Sequence, residues 1–409
     1  MSDKKRVDNK GRKLPDGYSQ RPDGRYMSRF TYHGKRYTLY DMSLNKLKEK
    51  VIHKKYELDQ HSYSQNAKLT VNEWHDIWYE NYYKDSVKPT TATTIMYAYE
   101  KRVRKSKLGN MKLADVKNGI IVEFYKELSE NGYANATIKT IHSVLKMMFE
   151  VAIRNEMLDK NPTTGALSVL RTPQKEERRV FSKEEQKIFF KYLENDLVYS
   201  KYLPFYIIGF NTGMRVGELT GLTWNDIDLE NGMINIKRTL YFQKNVGDKK
   251  SRFHVSTPKT INAIRSIPIL PEVKKAFTEQ KKIQDGMRYC GDFKDVIVDG
   301  VVGFVFTTRT GTPWREHDAW KYGKRIVKKM NEKEKLQAEK EGREPELFED
   351  FYPHTMRHTF TTRCIESGMS PVTLAKILGH SSVRTTLDIY THITDEQKIE
   401  EMKLLENGG

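Results

Sequence analysis

The stretch Leu378-Gly379-His380-Ser381-Ser382-Val383-Arg384-Thr385-Thr386-Leu387-Asp388-Ile389-Tyr390 sets a histidine and a tyrosine ten residues apart near the C-terminus. Just before it, Ser370-Pro371 reads as a helix N-cap with proline at the first helical position, and Gly379 fits the residue that closes that helix. His380 is therefore expected immediately beyond a helix end, on backbone held by capping. Upstream, His354-Thr355-Met356-Arg357-His358 puts His354 and Arg357 three residues apart, in a segment that Gly368 ends. Further upstream, Thr212-Gly213-Met214-Arg215-Val216-Gly217-Glu218-Leu219 gives Arg215 and Glu218 the same spacing. A carboxylate so placed can orient a guanidinium for bidentate contact with a phosphate. Taken singly, each of these residues reads as a packing group or a surface ion pair. Together they supply two arginines, two histidines and a late tyrosine, the parts needed for a tyrosine hydroxyl to attack a phosphodiester.

The bulk composition agrees with a phosphate-rich partner. The 409 residues carry 71 Lys+Arg against 54 Asp+Glu, a formal charge of +17. Such an excess favours a polyanion, because each neutralised phosphate releases counterions. The length predicts two or three domains. Two cysteines, Cys290 and Cys364, lack metal-ligand spacing and imply no disulfide framework, so a reducing compartment is expected. The N-terminus is polar, and no run approaches the roughly 18 apolar residues of a spanning helix. A soluble cytoplasmic, nucleoid-associated protein that makes no membrane contact is the expectation. Neither a metal cluster nor a Gly-x-x-x-x-Gly-Lys-Ser/Thr loop is visible, so no cofactor is expected; Asn225-Asp226-Ile227-Asp228 reads as a turn into a strand.

More than half of the basic excess lies in residues 1–68, with 17 Lys+Arg and 8 Asp+Glu. That segment predicts a small three-stranded sheet followed by a helix. Tyr26, Phe30 and Tyr32 share a face at strand period, and His33-Gly34 fits a hairpin turn returning through Lys35 to Tyr40. An earlier short strand is expected near 17–20, and a helix from Asp41 to Gln60 with Leu44, Leu47, Val51 and Ile52 among its apolar positions. Arg25, Arg29, Lys35 and Arg36 are candidates for contact with a DNA groove. His61 to Lys68 reads as a linker.

From Leu69 to Ala166 the pattern is helical. Thr70 and Glu73 form a capping box ahead of Trp74, Ile77 and Trp78. Further helices are expected over 90–104 and 117–130. In 135–155, Ile138, Ile141, Leu145, Met148, Phe149 and Ala152 recur at spacings of three and four. Lys101, Arg102, Arg104, Lys105 and Lys107 form a basic cluster, a solvated helix end or a phosphate contact. After a second linker to Arg179, helix and strand mix. Ser182 and Glu185 make another capping box, while 233–236, 265–269 and Gly303-Phe304-Val305-Phe306 read as strands. The stretch 328–343, charged almost throughout, reads as an exposed helix or an insertion. The fold class is thus multidomain α+β. Its parts are an N-terminal domain over 1–64, a helical domain over 69–166 and a mixed, mainly helical domain over 172–409.

The three blocks Thr-Gly-Met-Arg-Val-Gly-Glu-Leu, His-Thr-Met-Arg-His-Thr-Phe and Leu-Gly-His-Ser resemble those of the tyrosine recombinases, the phage-integrase family. Arg215, Lys259, His354, Arg357, His380 and Tyr390 follow that family's Arg, Lys, His-x-x-Arg, His, Tyr order. Lys10-Gly11-Arg12 and Gln20-Arg21-Pro22-Asp23-Gly24-Arg25-Tyr26 further resemble integrases of conjugative transposons. The resemblance spans nearly the whole chain and is strongest over 172–395.

It implies a site-specific recombinase that cuts and rejoins double-stranded DNA through a 3′-phosphotyrosyl link, leaving a 5′-hydroxyl. The implied assembly is a homotetramer reading core and arm-type sites, with an excision helper protein as a further partner. Tyr390 would be the nucleophile, and Arg215 and Arg357 would hold the non-bridging oxygens. Lys259 would protonate the departing 5′-oxygen, though Lys244, Lys249 and Lys250 share its region. His354 would assist proton transfer, His380 would donate to the phosphate, and Glu218 and His358 would support them. The tail helix expected over 395–405 would pack on a neighbouring protomer. A type IB topoisomerase is the alternative enzyme, and a DNA-binding regulator that has retained the fold is the non-enzymatic one. Tyrosine has a pKa near 10, so only about one part in a thousand is ionised at pH 7, and full ionisation costs roughly 4 kcal/mol. The site must offset that cost by positioning or by proton removal.

Overall fold

The computed structural model describes residues 7–390 except 10, 11, 13, 33–34, 67–68, 171–178, 246–247 and 257–263. The chain divides into two compact units, 1–174 and 175–409. The first opens with an antiparallel sheet in the order β1 (Tyr18–Gln20), β2 (Tyr26–Tyr32), β3 (Lys35–Asp41). Alternation along β2 buries Tyr26 and Ser28 and half-buries Phe30, while Arg29 and Thr31 are exposed. In the register, Arg29 lies opposite Thr38 and Thr31 opposite Arg36, so both arginines stand on the exposed face. Helix α1 (Leu44–Asn66) lays Leu47 and Val51, one turn apart, over Leu14 and Tyr26. Two expectations fail here. Ile52 is exposed, one position off that stripe. The expected linker from His61 is helical through Asn66, because the segment contains no glycine or proline to interrupt the backbone ladder. The His33-Gly34 turn lies outside the described residues.

A second hydrophobic cluster in this unit is mainly helical. Its elements are α2 (Val71–Trp78), α3 (Pro89–Arg102), α4 (Lys107–Asn110), α5 (Asn118–Glu130) and α6 (Asn135–Arg154). Thr70 caps α2, with its hydroxyl on the Glu73 N–H and the Glu73 carboxylate on the Thr70 N–H. Ile138, Ile141, Leu145, Met148, Phe149 and Ala152 of α6 are all fully buried. In α2 the apolar stripe departs from expectation: Trp74 and Trp78 are buried, but Ile77 is exposed and His75 takes the inward position. His75 is accommodated by stacking on Tyr99, ring centroids 3.5 Å apart.

The second unit is built around α7 (Lys183–Glu194), α8 (Leu203–Thr212), α9 (Val216–Thr220), α10 (Pro271–Tyr289), α11 (Glu316–Glu341), α12 (His354–Glu366), α13 (Pro371–Leu378) and α14 (Val383–Tyr390). Strands β4 (Ile227–Asp228), β5 (Met233–Ile236) and β8 (Arg265–Pro268) form one antiparallel sheet in that order. Strands β6 (Thr239–Gln243) and β7 (Arg252–Ser256) form a two-stranded ribbon inserted between β5 and β8. Phe181, Phe189, Phe205, Phe277 and Phe306 anchor the core.

The strand expected at 303–306 is only a single bridge between Phe304 and Thr223. The amide side chains of Gln284 and Gln280 donate to the Phe304 and Val305 carbonyls, taking the place of a neighbouring strand. The charged stretch 328–343 lies mostly in α11, whose Ile326, Val327, Met330 and Ala338 are buried. Within that stretch only Met330 and Ala338 are buried and most of the other residues are exposed, as expected of an exposed helix. Asp226 is a buried cap, accepting from Thr223 and paired with Arg238. Among the described residues no helix is long and apolar enough to cross a membrane.

Candidate active site

The site begins where α8 ends. Gly213 takes φ 59°, and a Cβ there would meet the Phe360 ring at 2.3 Å, so the turn requires glycine. The turn delivers Arg215 to the N-cap of α9. The Arg215 N–H donates to Glu218 Oε2 at 3.0 Å and its Nη1 to Oε1 at 2.9 Å. Glu218 is buried, whereas the Arg215 side chain is 38 % exposed, so one end of the pair is anchored and the other faces outward. Burial alone would raise the Glu218 pKa, but Arg265 and then Arg215 hold it below the usual carboxylate range. It is ionised at neutral pH.

Arg357 comes from the first turn of α12 and is buried. Its Nη1 donates to the Gly213 carbonyl at 2.9 Å and its Nη2 to the Leu378 carbonyl at 2.8 Å. No carboxylate among the described residues lies within ion-pair distance of it. Burial, then the charge of Arg215, push its pKa down to about 9, so it remains a cation at pH 7. Glu218 is paired with Arg215 and Arg265, and Arg357 adds a further positive charge close by, so these four residues together carry +2. Fixed, poorly hydrated guanidiniums with a deficit of negative charge form a ready-made phosphate site.

His380 enters from the end of α13. Ser370 accepts from the Thr373 N–H, Pro371 opens the helix and Gly379 closes it at φ 64°. The His380 N–H then donates to the Ala375 carbonyl at 3.0 Å, and its Nδ1 lies 2.8 Å from the Thr386 hydroxyl. Burial and then the nearby Arg357 push its pKa down to about 4, so the ring is neutral at physiological pH. Thr386 is fully buried, which fixes one ring nitrogen. His354 opens α12 with its side chain exposed, its ring 6.3 Å from that of His358.

The structure thus brings Arg215 and Glu218 together with Arg357 and His380, two stretches more than a hundred residues apart in sequence. Tyr390 ends α14, the helix that carries Thr386 at one turn's distance from it; its side chain and Lys259 lie outside the described residues. Sequence reasoning missed Arg265. Its partner Glu218 is 47 residues away, and an arginine opening a strand carries no local mark of burial. Among the other candidates, Arg25 is held by Asp23 at 2.8 Å, while Arg29 and Arg36 are exposed and the Lys35 side chain lies outside the described residues. Arg104 is tied to Asp76 and Glu100. Arg102 packs against the Tyr97 and Tyr133 rings, and Lys101 and Lys105 are exposed. No cluster of three or more metal-ligating side chains occurs among the described residues.

The model of the phage integrase family matches residues 178–397, more than half of the chain, and that of the phage integrase N-terminal SAM-like domain matches 70–129. The chain belongs to the phage integrase family. It is 30% identical to the transposase from transposon Tn1545 of Streptococcus agalactiae, covering 99% of this chain and 97% of that one. The Enterococcus faecalis transposase from transposon Tn916 matches with the same identity and coverage. The integrase of transposon Tn1549, solved in complex with a circular intermediate DNA, is 29% identical over 82% of this chain and 99% of its own, with a TM-score of 0.69. A lambda integrase dimer bound to a core site shares the fold at 18% identity, covering 94% of this chain and 98% of its own, with a TM-score of 0.54. This family member is a tyrosine-type site-specific recombinase of the conjugative-transposon kind, an enzyme that cuts and rejoins DNA through a phosphotyrosyl intermediate.

Proposed function

We propose that Tyr390 attacks the scissile phosphorus of a mobile element's end, forming a 3′-phosphotyrosyl bond and releasing a 5′-hydroxyl. The tyrosine proton leaves with help from His354, and Lys259 returns a proton to the departing oxygen. Arg215 and Arg357 bind the non-bridging oxygens, and neutral His380 donates one further hydrogen bond to them. Reversal with a different 5′-hydroxyl rejoins the strand, so no external energy source is required. The observation that carries this reading is the buried Arg357, held by two carbonyls and lacking a carboxylate of its own among the described residues.

Three functional regions serve the reaction. Residues 1–64 form the arm-binding domain and 69–166 the core-binding domain, a division supported by their separate hydrophobic clusters. Residues 172–409 form the catalytic domain, with its tail docked on a neighbouring protomer. Four copies on two DNA duplexes carry out the exchange in the bacterial cytoplasm, associated with the nucleoid, and an excision helper protein biases its direction. The test is a duplex target with a nick beside the cleavage site, which traps the cleaved state. Wild-type protein should give a denaturation-resistant protein–DNA adduct, and Tyr390→Phe none. An undiminished adduct from Tyr390→Phe would overturn the assignment.

A further inference from the structure

Glu218 is saturated, and two of its donors come from a residue outside the set assigned to chemistry. Arg265 Nη2 donates to Glu218 Oε2 at 2.8 Å and Nη1 to Oε1 at 3.2 Å, alongside the two donors of Arg215. The same guanidinium donates through Nε to the Ile377 carbonyl in the last turn of α13. Its side chain is 5 % exposed, against 38 % for Arg215. A Cβ on Gly379 would lie only 3.0–3.2 Å from Arg265 atoms, so the backbone just before His380 rests directly on this side chain.

Arg265 thereby joins three segments distant in sequence: strand β8, the start of α9 and the end of α13. The last two deliver Arg215 and His380. Lysine could not replace it, since one ammonium on a flexible stem cannot span both carboxylate oxygens and a carbonyl on another helix. We infer that Arg265 is a positioning residue for phosphate binding: it fixes Arg215 through Glu218 and His380 through the Ile377 carbonyl, without itself touching DNA. This inference rests on the phosphate-holding role proposed for Arg215 and His380. It differs from a general stabilising role because a misplaced phosphate clamp affects charge neutralisation at one phosphate, whereas a weakened fold affects every substrate alike.

The full-length protein should be assayed in single turnover on two nicked duplexes of the same sequence. One carries the natural scissile phosphodiester; in the other a methylphosphonate replaces it, removing the negative non-bridging oxygen. On the phosphodiester, R265A and R265K should each slow cleavage by on the order of 100-fold, the loss expected from a small misplacement of reacting groups. DNA affinity should remain within about twofold, since most phosphate contacts are untouched. On the methylphosphonate the gap to wild type should narrow, as it should for R215A. If R265A does not fold, R265K carries the test, because it keeps the charge and most of the side-chain volume. Wild-type rates for R265K, or equal losses on both substrates, would overturn the inference. Wild-type cleavage by R215A would instead remove the site reading, and this inference with it.

Discussion

Arg265 and Glu218 are joined through both carboxylate oxygens, at 2.8 and 3.2 Å, with both side chains almost wholly buried. A buried pair of this kind is most costly when only one member is removed, because the other charge is left without compensation. Glu218 compensates two guanidiniums and lies close enough to a third to influence its charge. Glu218→Gln should therefore destabilise the protein by about 3–5 kcal/mol. The midpoint of denaturant unfolding of the catalytic unit's transition measures this. A midpoint equal to wild type would mean that the arginines are neutralised in some other way.

A second expectation concerns pH. His75 is fully buried, with Nε2 lacking a partner, and burial followed by the opposing influences of Asp76 and Arg104 leaves its pKa at about 4. In the unfolded chain it would titrate near 6.5. The folded state refuses a proton that the unfolded state accepts, so stability is full above pH 6.5 and falls as the pH drops toward 4. The loss attributable to this histidine is on the order of 3 kcal/mol at the lower limit. His75→Phe keeps the stacking on Tyr99 and should flatten the stability–pH profile between pH 6.5 and 4. An unchanged profile would contradict the burial argument.

The exposed sheet face yields a third. Arg29 and Arg36 stand on the same side of neighbouring strands, away from the small core under α1. Changing both to glutamate should weaken binding to arm-type sites while sparing cleavage of short core sites. The slope of log affinity against log salt should become shallower by roughly 0.9 for each phosphate that is no longer neutralised. Equal weakening at both kinds of site would place this sheet within the main DNA clamp.

Much of this was legible because local rules agree with the tertiary structure. The capping boxes at Thr70–Glu73 and Ser182–Glu185, the periodicity of 135–154 and the Ser-Pro to Gly frame around α13 are all present in the folded chain. The His380 position follows directly from that frame. Failures occurred where a local signal was absent or ambiguous. Nothing in 61–66 breaks a helix, yet its polarity resembles a linker. Ile77 and His75 sit two residues apart, and ring stacking reversed the usual ranking of which is buried. At 303–306 a strand-like run is satisfied by glutamine side chains from α10. Arg265 was illegible because its role exists only in the contact between β8, α9 and α13.

The proposed reaction turns on one covalent bond, between Tyr390 and a 3′-phosphate. Its most direct test is to trap the adduct on a nicked duplex, digest the protein with protease and the DNA with nuclease, and sequence the remaining nucleotidyl-peptide by mass spectrometry. The added nucleotide mass should lie on Tyr390, in the peptide that continues from α14. A nucleotide on any other residue, or a link through a 5′-phosphate, would contradict it.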